Sequence, residues 1–439
     1  MIKLNMFSGL RHFWVLWSSQ TVSSLGTAMT SFALTIWVYN QRGTATSLTL
    51  MTFCTFLPTI LFRFIAGTFA DRWNKKRIML FSDLVAACGS MAILMLYLLS
   101  SLKIWHLYVI NFLLSFMDAF QVPASNVATS LLVPQKQYAR VSGLQSFSGS
   151  VVSIVAPALA SVLLASGGLT VVLIVDLASF AVAFFTLLFF IKIPDMQQDT
   201  NEKRVPFWKS CMEGLRFIWK DAALLRMILF FTVVNFFAKL GGDGMMSAFV
   251  LSKTGGDQNA LSMVEIVNSL AFLIGGILVT CMKPAVRKTN VIFISCAIIF
   301  LVGNTLISLF DSLPFWMVAS FISYIFVTLL GANLTAVMRA HVPIRMQGRV
   351  FSARDTIQNG SIPLGLLLGG VLADHVFEPF MAASSPVQQV LSFLFGDGKG
   401  AGIAVLFFIV GIAGFIISMI AYKNPIYQKL NESNLVENE

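Results

Sequence analysis

The feature that most constrains this chain is a charged turn set between two long apolar runs. Residues 67–77 read Gly-Thr-Phe-Ala-Asp-Arg-Trp-Asn-Lys-Lys-Arg, with one acid and four bases. About 25 mostly apolar residues precede it from Ser47, and about 24 follow it from Ile78. At ~1.5 Å per helical residue, each run can cross a ~30 Å hydrocarbon core. Charges this dense do not remain in lipid, and a basic turn marks the cytoplasmic face. The chain therefore crosses, turns and crosses back.

The rest of the sequence repeats this grammar. With 57% apolar and 11% charged residues over 439 positions, the composition lies outside that of soluble domains. Apolar runs predict twelve spans, at 13–38, 46–70, 78–101, 104–132, 140–166, 168–192, 226–250, 258–282, 289–310, 313–337, 349–374 and 401–422. The first run has span length and no small-residue cleavage site after it, so it reads as a span rather than a cleavable leader. With both termini on the cytoplasmic side, twenty-four of the thirty bases fall in inner segments and four in outer loops. Arg63 and Lys239 lie within spans. That asymmetry predicts a multi-pass membrane protein with cytoplasmic termini, and it accounts for the net charge of +10. No soluble basic face remains for a nucleic acid.

Catalytic chemistry is not suggested. The five cysteines are scattered without metal or redox spacing, and the four histidines are dispersed. No catalytic constellation, metal site, phosphate-binding glycine loop or nucleotide-binding domain is present, which argues against an enzyme and an ATP-driven pump. No cofactor is expected.

A polar, charged stretch at 193–225 divides the spans six and six. Its second part, Phe207 to Lys220, has amphipathic spacing suited to the inner interface. The expected units are a six-helix bundle at 1–192, a connector at 193–225, a second bundle at 226–422 and a tail at 423–439. The halves share an offset of 209 residues, which places Gly67 on Gly276, Pro134 on Pro343, Arg140 on Arg349 and Val141 on Val350. The second copy carries Thr280 where the first has Asp71, so the first turn is the specialised one.

The 67–77 turn resembles the signature loop between spans 2 and 3 of the major facilitator superfamily, keeping Gly67, Asp71, Arg72 and the bases through Arg77. Asn74 stands where the family usually has Gly, and its tolerance of left-handed backbone would preserve the turn. The resemblance implies an all-α membrane protein of twelve helices in two pseudo-symmetric six-helix bundles, with a binding site between them near the midplane. It also implies that Gly67, Asp71, Arg72 and Arg77 form a conformational latch. Asp71 lies at the C-terminal end of span 2, where the helix dipole disfavours an anion, whereas the positive start of span 11 would compensate it.

Ionisable groups within spans cost a few kcal/mol each and suggest function. Asp118 lies mid-way along span 4, which lines the cavity in this fold; there it binds a cationic substrate, takes up a proton, or pairs with a base such as Arg63. Lys239 and Asp243 stand four apart on span 7 and can pair along one helix face, beside glycines that would loosen it. They form either a satisfied internal pair or a gate. Glu265 enters span 8 by one to two turns, as a proton site or an interfacial carboxylate. Asp118, Asp243 and Glu265 are the proton-coupling candidates. Asp83 and Asp176 read as structural acids, Asp83 serving the bases at Arg72 to Arg77.

Further stretches resemble the drug:proton antiporter branch typified by bacterial macrolide efflux proteins: Phe120-Gln121-Val122-Pro123-Ala124 with Leu131 to Pro134, Ile78 to Gly89, Glu213-Gly214-Leu215, and Gly348 to Ser352. The sequence departs at Leu114, where many proton-coupled exporters carry Arg, and in a depleted span 5 motif around Pro157. The branch implies a proton-coupled exporter of a small amphipathic substrate, working as a monomer in a bacterial plasma or inner membrane. Forty phenylalanines would furnish an apolar cavity, with Gln20, Ser24, Arg63, Asn111, Asp118, Asn235, Lys239, Tyr324 and Asn333 as candidate lining groups. The alternatives are a metabolite or siderophore exporter or lipid translocator on the same fold, or a non-transporting receptor or assembly subunit. If Asp71 is an inner latch, Asp71→Asn shifts the protein away from its outward-facing state. Cysteine-accessibility labelling that finds unchanged state populations would remove the latch.

Overall fold

A bilayer offers its hydrocarbon-buried peptide groups no water, so a chain of this composition must satisfy them within helices. The computed structural model describes the backbone of all residues except 1, 134–137, 192, 194–206, 283–284, 344–345, 384 and 433–439. Among the described residues there are helices and no strands. Side chains of some helical stretches, including 63–72, also lie outside the described set.

The helices are α1 (Ile2–Arg42), α2 (Ala45–Arg72), α3 (Lys75–Leu98), α4 (Ile104–Leu132), α5 (Tyr138–Phe185), α6 (Phe207–Lys220), α7 (Ala222–Gly241), α8 (Met246–Lys253), α9 (Gln258–Cys281), α10 (Lys288–Phe300), α11 (Ile307–Leu309), α12 (Leu313–His341), α13 (Gln347–Asn359), α14 (Ile362–Leu372), α15 (Glu378–Ala382), α16 (Pro386–Phe395), α17 (Ala401–Lys423) and α18 (Lys429–Glu432). Among the described residues, eleven apolar helical segments are long enough to cross a membrane. One of them, 147–190, runs 44 residues and contains Gly168 at φ 66° and ψ −166°. That conformation breaks the helix between the expected fifth and sixth spans, so eleven segments supply twelve passes. The left-handed φ favours glycine at this position.

The chain forms two compact units, residues 1–41 with 51–203, and residues 42–50 with 204–439. In the first unit, α3 packs against α4 and α5. Its core gathers Phe13, Leu16, Ile78, Met79, Ala124, Ala128 and Leu187. The turn into α3 differs from the sequence expectation: Asn74 has φ −64° and ψ 115°, an extended backbone rather than a left-handed one. Its value is in the side chain, whose Oδ1 accepts the Arg77 N–H at 3.1 Å and caps α3. Lys76 Nζ donates to the carbonyls of Leu188 and Ile191, at 2.9 and 2.8 Å. It thereby serves backbone acceptors where a π-helical stretch, Thr186–Phe190, ends. Asp176, 1% exposed, accepts from Ser90 Oγ at 2.8 Å and keeps the structural role expected of it.

In the second unit, α12 packs against α9 and α10, α17 against α10, and α14 against α7. The amphipathic α6 leans on α13. Gly411 of α17 meets Thr305 where a Cβ would sit, so that contact requires a residue without one. Lys253 Nζ, at the end of α8, joins Asp311 at 2.7 Å and the Phe395 carbonyl at 2.6 Å. Asp374, in a π-helical stretch after α14, accepts the N–H groups of Ala45 and Thr46 at 3.0 and 2.6 Å. It thus caps the first turn of α2, a segment counted with this unit.

Asp221 caps α7 by accepting the N–H groups of Ala223 and Leu224 at 2.9 and 3.1 Å, and it meets His341 Nε2 at 2.6 Å. Burial opposes its ionisation, but the hydrogen bonds from Leu224, His341 and Ala223 outweigh it and hold the carboxyl below its ordinary value. A depressed folded-state value contributes stability above the unfolded value and loses it as pH falls through the folded one. Asp221→Ala should therefore lower stability at neutral pH by about 1 kcal/mol, read as a melting shift in detergent. The difference from the native protein should close as pH drops below ~4.

Candidate transport cavity

The seventh pass does not run as one helix. It stops at Gly241, turns through Gly242 at φ −138° and ψ −126°, makes a short 3₁₀ turn at Asp243–Met245, and resumes as α8. The local sequence explains the break. A Cβ on Gly242 would lie 2.8 Å from the Ala238 carbonyl, and one on Gly244 would lie 2.7 Å from that of Lys239. The glycines therefore permit a tight fold-back, where the sequence suggested a loosened helix. The break exposes the Gly241 carbonyl, which accepts from Asn304 Nδ2 at 2.8 Å. Asn304 sits in a π-helical stretch, Leu301–Leu306, and π turns recur at functional sites.

Lys239 Nζ and Asp243 Oδ2 are 2.6 Å apart across the break, with side-chain exposures of 18% and 42%. They pair as their spacing predicts, but with Asp243 outside the helix that holds Lys239. A cavity of about 450 Å³ lies beside them, walled by Phe231, Phe272 and Phe300 and furnished with Asn235, Lys239, Asp243, Asn304 and Tyr324. Tyr324 packs edge-on against Phe272 with ring centres 5.1 Å apart, and lies within electrostatic reach of Asp243 and Glu265. An apolar, aromatic pocket with few polar groups orients an amphipathic molecule while tolerating varied shapes.

The remaining candidates are dispersed. Asn235 lines the cavity and also donates to the Gln358 carbonyl at 3.1 Å. Glu265 is half-buried on α9. Asn333 is spent on its own helix, donating to the Leu329 carbonyl at 2.9 Å. Asn111 has a buried Nδ2 without a hydrogen-bond partner among the described residues. Gln20 and Ser24 line a separate, more polar cavity of about 270 Å³ in the first unit, and Ser24 Oγ donates to the Gln20 carbonyl at 2.8 Å. The side chains of Arg63, Gly67, Asp71 and Arg72 lie outside the described residues, so the proposed latch has no geometry here. Arg77 lines an apolar groove of about 660 Å³ with Trp73, Phe81 and Phe120. That groove lacks a convergent set of polar groups.

Asp83 departs from its expected role. It is 3% exposed, and Oδ1 accepts from Gln121 Nε2 at 2.6 Å. Its described partner is thus an amide on α4 rather than a base of the turn. Asp118, one turn before Gln121 on α4, is exposed and within electrostatic reach of Asp83. Asn304, Asp374 and Gln121 were the residues that sequence reasoning passed over. The available signal for Asn304 was a lone amide beside Gly303 in an otherwise apolar run.

A model of the Major Facilitator Superfamily matches residues 16–366. The chain belongs to this superfamily. It is accordingly a multi-pass membrane transporter and not an enzyme, as the composition and the charged turn had suggested. Macrolide efflux protein A of Streptococcus pyogenes is 25% identical over 371 residues, covering 83% of this chain and 90% of that protein. The multidrug efflux pump Tap of Mycolicibacterium fortuitum is 23% identical over 379 residues, with coverages of 82% and 90%. The structure resembles that of a nucleoside transporter NupG variant at a TM-score of 0.69 and 11% identity, covering 94% of this chain and all of that one. At that identity the likeness concerns the fold alone.

If Lys239 and Asp243 neutralise each other at the break, Lys239→Met should destabilise the purified protein by about 1 kcal/mol, given the pair's partial exposure. The double change Lys239→Met with Asp243→Asn should recover part of the loss, and thermal unfolding of the three proteins checks it.

Proposed function

We propose that this protein exports hydrophobic or amphipathic compounds, drug-like or macrolide-like in character, by proton-coupled antiport and alternating access. The cavity beside the α7 break carries the proposal. It presents aromatic walls, an opposed charge pair and a phenol, which suits a bulky molecule with a few polar or cationic groups. The relatives named for macrolide and multidrug efflux support the same cargo class. Proton coupling rests on carboxyl groups placed within spans, at Asp118, Asp243 and Glu265, where ionisable residues are costly without a task. The distribution of bases supports cytoplasmic termini in a bacterial plasma or inner membrane. The working unit is a monomer, with the proton gradient as energy source and no cofactor. Asp71, Arg72, Gly67 and Arg77 serve as the inner latch.

Proteoliposomes containing the protein should move a radiolabelled macrolide and the dye ethidium under an imposed pH gradient. Asp243→Asn should slow both fluxes about tenfold or more, the scale of one lost charge-assisted contact. Flux that ignores the gradient would remove proton coupling. Absence of flux for both compounds would remove drug export.

A further inference from the structure

Three helices of the first unit each present a stripe at helical spacing to one cavity of about 270 Å³. On α1 the stripe is Trp17, Thr21 and Ser24, on α4 Ser125 and Thr129, and on α5 Gln145 and Ser148. The hydroxyls in it share a bias. Thr21 Oγ1 donates to the Trp17 carbonyl at 2.7 Å, and Ser24 Oγ to that of Gln20 at 2.8 Å. Ser148 Oγ donates to the Gln145 carbonyl at 3.0 Å. Each has given its only hydrogen to its own helix and keeps lone pairs that accept. The Gln145 side chain, on an exposed residue, brings an amide with both a donor and an acceptor.

An occupant of this space must supply donors, and the lining narrows it further. Among the described residues around the cavity none is ionisable, so a charged group would leave water without a counter-charge. The cavity beside the α7 break differs, for it holds Lys239 and Asp243. Trp17 adds an indole, a large apolar surface against which C–H groups pack. A compact ring with several neutral hydroxyls and apolar C–H faces meets all three conditions. We infer that the cavity of the first unit binds a neutral glycosyl group carried on an amphipathic molecule. The sugar hydroxyls donate to Thr21, Ser24 and Ser148, and its ring packs on Trp17. A site built to hydrogen-bond hydroxyls rejects an analogue without them, because its own polar groups then stay unpaired. The stripes lie in the halves of spans 1, 4 and 5 that the distribution of bases sets toward the cytoplasm, where an exporter collects its cargo. The inference rests on the proposed export of amphipathic compounds and narrows that cargo to glycosides.

The test is equilibrium binding to the full chain in lipid nanodiscs, with empty nanodiscs as background. The probes are radiolabelled octyl glucoside and an octyl oligoethylene glycol ether, which has the same tail and no ring hydroxyls. Native protein should hold the glucoside about tenfold tighter or more, the scale of one well-made hydrogen bond. Thr21→Val with Ser148→Ala should bring the two affinities together by weakening the glucoside alone. A second variant does not depend on that pair. Gly149 on α5 also lines the cavity, and a Cβ there meets nothing within 4 Å. Gly149→Leu therefore enters open space on a helix that favours leucine, and it should displace the glucoside. Equal binding of the two probes by native protein, or a preference that survives in either variant, would overturn the proposal. So would a loss of both probes together in the monodisperse double variant. If the glucoside preference behaves as expected while neither macrolide nor ethidium is moved, the glycosyl site stands and drug export falls. Macrolide flux without any glucoside preference leaves export standing and removes the site.

Discussion

A helix that stops inside a bilayer strands carbonyl groups where water cannot reach them, and the second unit is organised around one such stop. Asn304 supplies the missing donor to Gly241. It does so from a π-helical stretch of the ninth pass, a local widening that turns an amide toward the break. Two glycines, Gly242 and Gly244, fit the fold-back because nearby carbonyls leave no room for a Cβ. The charge pair Lys239–Asp243 then sits at an irregular backbone facing a cavity, the setting in which non-helical structure is tolerated at membrane depth. Loss of Asn304 would remove the support of the wall itself.

The same accounting governs the first unit. Asn74 closes the start of α3, and Lys76 serves carbonyls beyond the sixth pass. The basic turn that orients the chain thus also terminates helices. Asp374 does similar work for α2 in the second unit. Lys76, Asp221, Lys253 and Asp374, all near span ends, each answer backbone groups.

Much of this fold was legible in the sequence because span length and charge bias are local properties. Twelve runs, a break near Gly168 and the pairing of Lys239 with Asp243 could be read from spacing alone. The side-chain partners could not. Asn304 finds a carbonyl 63 residues away and Asp374 an amide 329 residues away, and no periodicity encodes such meetings. Asp83 is a structural acid as expected, but its described hydrogen-bond partner is Gln121, brought to it by the packing of α3 on α4, rather than a base of the turn. Asn74 was credited for its backbone when its side chain was the useful part. Nor could spacing show that Asn333 donates to a carbonyl of its own helix, or that Asn235, while lining the cavity, also donates to Gln358.

Gly168 has a mechanical consequence. The helical hydrogen-bonding pattern continues on both sides of this residue, so the fifth and sixth passes are joined without a loop. A connection of zero length has no slack to absorb displacement. When one of these passes slides along the membrane normal or tilts, its neighbour must follow in the same stroke. The two behave as one folded lever rather than as two rods on a tether, jointed at a residue without a side chain.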